Sequence, residues 1–130
     1  MQFRETRPIY LQIADYACEK ILLRQWNAGD RIPSVRELAV TLEVNPNTVM
    51  RTVEFLQQKE IIYNQRGVGL FVSDTAYQNA LTYRKDEFME KELPFFFRNL
   101  VLLQTDLEEL EPLFKKYVKK YFPNIKENKL

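Results

Sequence analysis

The chain has 130 residues, with nineteen Lys and Arg against eighteen Asp and Glu, and carries a net charge of +1 at pH 7. That length allows one ordinary domain, or a small domain with an appendage, and the even balance leaves no global electrostatic pull toward nucleic acid. With no histidine in the sequence, neither a Ser-His triad nor a histidine metal site is available.

No glycine-rich phosphate-binding motif occurs, and no loop has the ligand spacing of an all-oxygen Mg²⁺ or Ca²⁺ site. Carboxylate pairs such as Glu108 and Glu109 fall on a solvent-facing helical pattern. No catalytic residue, metal or cofactor is therefore expected, and an enzyme is the least favoured class. Cys18, the single cysteine, lies in a helical pattern and reads as a small buried hydrophobe suited to a reducing cytoplasm. No apolar leader follows Met1, and the longest apolar runs fall well short of a membrane span.

Along the chain, Thr6 or Arg7 can cap a first helix with Pro8 in its opening turn. Its apolar stripe is Ile9, Ile13, Ala17 and Ile21, flanked by Tyr10 and Ala14. It should run to about Gln25, where Trp26-Asn27-Ala28-Gly29-Asp30 stops it. Arg31-Ile32-Pro33 then reads as a single edge strand.

Ser34 and Glu37 have the spacing of a capping box, which starts a second helix at Val35 with Leu38, Ala39 and Leu42 on one face. Asn45 is a good N-cap and Pro46 fits the first position of a third helix. In that helix Val49, Val53 and Leu56 point inward, while Asn47, Arg51, Glu54 and Gln58 face out, with Thr48 near the start. The outward set has the side chains that hydrogen-bond to phosphates and base edges. Any amphipathic helix pair has a polar outside, so the two helices alone leave DNA binding open, and the flanking elements decide it. Ile61-Ile62-Tyr63-Asn64, the turn Gln65-Arg66-Gly67-Val68-Gly69 and Leu70-Phe71-Val72 form a hairpin directly after that helix, placed as a wing. Arg66 at its tip can pair with a phosphate or enter a minor groove.

Four segments together carry a family resemblance. Pro8-Ile9-Tyr10-Leu11-Gln12-Ile13-Ala14, Gly29-Asp30-Arg31-Ile32-Pro33-Ser34-Val35-Arg36-Glu37-Leu38-Ala39, Val44-Asn45-Pro46-Asn47-Thr48-Val49 and Arg66-Gly67-Val68-Gly69-Leu70-Phe71-Val72 resemble, in order and spacing, the winged-helix domain of GntR-family transcription regulators. The resemblance implies that Arg36 contacts the DNA backbone, that Asn47, Thr48 and Arg51 face the major groove, and that Arg66 and Gly67 carry the wing into the minor groove. Asn45, the cap of the reading helix, belongs with this set. Three positions depart from the family pattern. Glu43 stands where the turn often has Gly, Leu70 where a Thr is common, and Pro46 where some members carry an arginine.

Residues 75–130 read as a helical region separate from a DNA-binding domain over residues 1–74. Divided there, the charges are nine basic against nine acidic and ten against nine, so neither part is a basic module. A helix from about Ala76 would place Tyr77, Leu81, Arg84 and Phe88 on one face, and at Pro94 it either kinks or restarts. Phe95, Phe96, Phe97, Leu100, Val101, Leu102 and Leu103 follow with little polar relief. Thr105 and Glu108 have capping-box spacing for a last helix whose seam is Leu107, Leu110, Phe114, Tyr117 and Tyr121. Lys115, Lys116, Lys119 and Lys120 suit the negative end of that helix. Two helices cannot bury this much apolar surface alone. The expected dimer interface is Phe88, Phe95, Phe96, Leu100, Leu103, Leu107, Leu110, Phe114 and Tyr117. A short two-helix C-terminal region resembles the YtrA-like subfamily, in which it is a dimerisation arm.

The fold expected is mainly α with a small β-wing (α+β): a winged helix-turn-helix followed by a two-helix dimerisation arm. The function expected is a cytoplasmic, homodimeric, sequence-specific DNA-binding transcription regulator, most simply a repressor at a pseudo-palindromic operator. No small-molecule effector is evident. The alternative is a winged-helix protein-protein adaptor without DNA binding, which the polar Asn47/Arg51/Gln58 face opposes.

Overall fold

A computed structural model describes residues 6–125, which fall into two compact units that divide after Glu87. The first holds α1 (Ile9–Leu22), β1 (Arg31–Ile32), α2 (Val35–Leu42), α3 (Pro46–Gln58), β2 (Ile62–Gln65), β3 (Gly69–Val72) and α4 (Ala76–Glu87). The second begins with a π-helical stretch, Phe88–Glu92, and continues as α5 (Leu93–Leu102) and α6 (Leu107–Tyr121). The fold is the expected one, mostly helical with a three-stranded antiparallel sheet in the order β1-β3-β2.

The first unit closes around one core. Ile13, Ala14, Ala17, Cys18 and Ile21 of α1 meet Leu38 and Ala39 of α2, Val49, Val53 and Leu56 of α3, and Ile32, Ile61, Ile62, Leu70 and Val72 from the sheet. α4 completes it with Ala76, Ala80 and Tyr83. This is why the compact unit extends past residue 74 to take in α4. The face expected for that helix is rotated. Ala76, Ala80 and Tyr83 point inward, Tyr77 is half-buried against the edge of the core, and Leu81 is 38% exposed. Small side chains on the buried stripes of both α1 and α4 let the two helices approach closely.

Arg7 caps nothing. Its Nη1 donates to Glu87 at 2.9 Å and its Nη2 to Asp15 at 3.2 Å, with the Tyr83 hydroxyl a further acceptor. Its Nε lies 2.7 Å from the other Asp15 oxygen, an ion-pair contact without hydrogen-bond alignment. Arg84 reaches the same Asp15 at 2.7 Å. Burial alone would lower the Arg7 pKa, but the bonds to Glu87 and Asp15 outweigh it and hold the guanidinium above its ordinary value. Burial likewise pushes Tyr83 up to about 12, although Arg7 pulls the other way. The network fastens α4 to the start of α1.

α1 ends three residues earlier than expected, because Arg24 takes a left-handed conformation (φ 62°). Its guanidinium then lies 3.7 Å from the centre of the Tyr77 ring. At the other end of the stripe Ile9 is 57% exposed and lies outside the core. Cys18 is fully buried, and burial raises its thiol to about 12, as suits a packing residue and not a nucleophile.

In the second unit the helical stretch around Pro94 opens into the π turn upstream and resumes with Pro94 in the first turn of α5. Proline has no N–H to offer the carbonyl four residues back and its ring crowds that carbonyl, so a wider turn before it relieves the conflict. α6 is capped one residue later than expected. Asp106 accepts from the Glu109 N–H at 2.9 Å, whereas the Thr105 hydroxyl turns back to the Leu103 carbonyl. No residue of α5 or α6 is buried.

Candidate nucleic-acid interface

The turn between α2 and α3 is built by its caps. Ser34 Oγ accepts from the Glu37 N–H at 3.1 Å and the Glu37 carboxylate accepts from the Ser34 N–H at 3.4 Å, a complete capping box. α2 ends at Glu43, which adopts φ 55° and ψ 48°. That left-handed conformation is the one a glycine would take without cost, and Glu takes it here against its steric preference. Val44 N–H closes the turn on the Ala39 carbonyl at 3.0 Å. Asn45 then caps α3 by accepting from the Asn47 N–H at 2.8 Å, with Pro46 in the first turn.

α3 buries Val49, Thr52, Val53 and Leu56 and presents Asn47, Met50, Arg51, Glu54 and Gln58 to solvent. Thr48 is half-buried, and Arg36 is exposed in the first turn of α2. Thr52 was not foreseen as an inward residue. Its hydroxyl donates to the Tyr10 carbonyl of α1 at 2.7 Å, so a polar side chain is buried without losing its hydrogen bond.

Beyond α3 the sheet supplies the wing. β2 and β3 pair from Ile62↔Val72 to Gln65↔Gly69, leaving Arg66, Gly67 and Val68 at the tip. The Val68 N–H closes the turn on the Gln65 carbonyl at 2.9 Å, and Gly67 supplies the φ of 80° that it requires. Arg66 and Gly67 are exposed. At Gly69 a Cβ would stand 2.9 Å from Arg31 Nε, so only glycine lets the Arg31 guanidinium lie against the wing. Arg31, Met50, Gln57, Asn64 and Gly69 line a shallow groove between α3 and the hairpin.

Two residues of this surface escaped the sequence reading. Arg31 looked like an ordinary edge-strand residue. Alternation puts it outward, but nothing local tells that β1 pairs with β3 beside the wing (Arg31↔Phe71). Tyr10 of α1 lies under Arg51, whose guanidinium carbon is 4.0 Å from the ring centre. Among the described residues no group of three or more His, Cys, Asp or Glu could hold a metal ion, and no helix is long and apolar enough to cross a membrane.

A capped helix-turn-helix with an exposed polar second helix, followed at once by a hairpin with a glycine at its tip, defines a winged-helix DNA-binding protein. Residues 9–72 match the family of bacterial regulatory proteins called gntR. The similarity extends through most of the chain in two proteins of Bacillus subtilis (strain 168). An uncharacterized HTH-type transcriptional regulator, YhcF, is 35% identical over 84% of this chain and 88% of its own. The HTH-type transcriptional repressor YtrA is 33% identical over 86% and 85%. A crystal structure of a GntR-family regulator from Bacteroides thetaiotaomicron is 45% identical, covers 87% of this chain and 98% of its own, and superposes with a TM-score of 0.68. The DNA-binding domain of AraR, solved on its operator, shares the fold over 56% of this chain (22% identity, TM-score 0.53). The chain belongs to the GntR family and is a DNA-binding transcription regulator.

Proposed function

We propose that the protein is a cytoplasmic homodimeric repressor that occludes a pseudo-palindromic operator. Each subunit lays α3 in the major groove of one half-site. Asn47, Thr48 and Arg51 read base edges, Arg36 and the Asn45 end of α3 engage the backbone, and Arg66 with Gly67 carries the wing to the minor groove. Arg31, held against Gly69, joins them as a further cation beside the wing. Repression is favoured by the similarity to YtrA, a transcriptional repressor, over 86% of this chain and 85% of its own.

The observation that carries the dimer is the apolar display of the second unit. Phe96, Val101, Leu102, Leu103, Leu107 and Phe114 are between 41% and 78% exposed. Each side chain of this size left in water forgoes roughly 1.5–3 kcal/mol. A second copy of the same two helices is the self-complementary cover that a two-fold operator also calls for. Phe88, Phe95, Phe96, Leu100, Leu103, Leu107, Leu110, Phe114 and Tyr117 form the proposed contact.

The reading helix is tested with Arg51→Ala. Operator affinity should fall by roughly 1–3 kcal/mol, with preference lost at one base position. An equal loss on every sequence would make Arg51 a phosphate contact.

A further inference from the structure

Tyr10 touches α3 in three ways. Its ring lies under the Arg51 guanidinium at 4.0 Å, its carbonyl accepts from Thr52 at 2.7 Å, and its ring edge meets Phe55 at 6.2 Å and 80°. One residue of α1 thus grips three positions of the reading helix, on two successive turns. Arg51 itself is exposed. Among the described residues no carboxylate pairs with it, so the Tyr10 ring is what orients it.

The chemistry of that stack is directional. A guanidinium held over an aromatic ring favours lying parallel to it, which covers one face and leaves its in-plane N–H donors pointing past the ring edge. Those in-plane donors are the ones that make paired bonds to guanine O6 and N7. An unsupported arginine on a helix surface samples many rotamers and must lose that freedom on binding. A stacked one has lost part of it beforehand.

We infer that Tyr10 is a specificity-positioning residue: its ring fixes the Arg51 guanidinium in the orientation that reads a base pair, while Tyr10 contacts no base. The inference rests on the proposed role of Arg51 in base reading. It adds a residue outside the helix-turn-helix that sets the selectivity of the family's reading helix in this chain.

The test is a double-mutant cycle on the full chain, measured by fluorescence anisotropy on the selected operator and on variants changed at single base pairs. Tyr10→Leu should lower operator affinity roughly 3- to 10-fold and flatten discrimination only at the base pair that Arg51 reads. Tyr10→Phe, which keeps the ring, should stay within about 2-fold of the parent. In an Arg51→Ala background Tyr10→Leu should cost nothing further. Equal losses with and without Arg51, or unchanged discrimination in Tyr10→Leu, would overturn the positioning role.

If Tyr10→Leu does not fold, Tyr10→Met, which removes the π face with an unbranched side chain that adapts to the space left, takes its place. Failure of the base-reading role looks different. Arg51→Ala would then weaken all sites alike, and the cycle on total affinity would still decide the stack, with zero coupling counting against it.

Discussion

Leu56 in α3 and Leu103 at the end of α5 are the same side chain in opposite surroundings, 2% and 72% exposed. The contrast holds for the units around them. The first folds three helices, a sheet and α4 around a continuous core, whereas α5 and α6 bury no residue. A core that closes within one chain gives a module able to stand alone. An apolar display of this size is what the proposed dimer would cover. On the proposed function, reading and pairing are tasks of separate units, and each should be open to damage without the other.

The largest expected effect falls on pairing. Leu107→Asp combined with Phe114→Asp should cost the dimer roughly 3–6 kcal/mol and leave the chain monomeric in sedimentation velocity. The near-ultraviolet circular dichroism of the winged helix should be unchanged. Loss of that signal along with the dimer would mean that the two units are not separable.

Leu56→Ala sharpens the contrast from the other side. Cavity formation in the first unit should cost roughly 2–5 kcal/mol in denaturant unfolding, whereas Leu103→Ala should leave the unfolding of the first unit where it was. Next comes the Arg7 network. Arg7→Met leaves Asp15 with Arg84 and removes one of the contacts of Glu87. It should loosen α4 at a cost of roughly 1–3 kcal/mol, read by hydrogen exchange at Ala80 and Tyr83, with self-association unaltered.

The smallest effect concerns Cys18. Its thiol is raised from 9.0 to about 12 by burial, so iodoacetamide at pH 9 should leave it unmodified until the chain unfolds. The unfolded thiol ionises first, so its contribution to stability is whole below about pH 9 and is lost as the pH rises toward 12. Rapid alkylation of the native protein would contradict its burial.

Local chemistry was readable in the sequence, and distant pairing was not. The Ser34/Glu37 box, the Asn45 cap with Pro46, the inward trio Val49, Val53 and Leu56 and the wing glycines all rest on neighbours within a few residues. The face expected for α4 is rotated because large Leu81 and Phe88 outweigh Ala76 and Ala80 in any apolarity pattern, whereas Tyr77 does pack against the core. Only the closeness of α1 makes small residues the right ones. The early end of α1 turns on Arg24 stacking over Tyr77, more than fifty residues away in sequence. Arg31 beside Gly69 and Tyr10 beneath Arg51 join elements whose adjacency no local pattern encodes. What the sequence hid at the candidate site is the support behind the residues proposed to read DNA.

Selection of bound sites from random DNA by the purified full chain tests the account most directly. It should return two inverted copies of one short motif whose centres lie about one helical turn, roughly 10 base pairs, or a multiple of it apart. A single unrepeated motif, or a pool no different from the starting one, would contradict a paired reader of DNA.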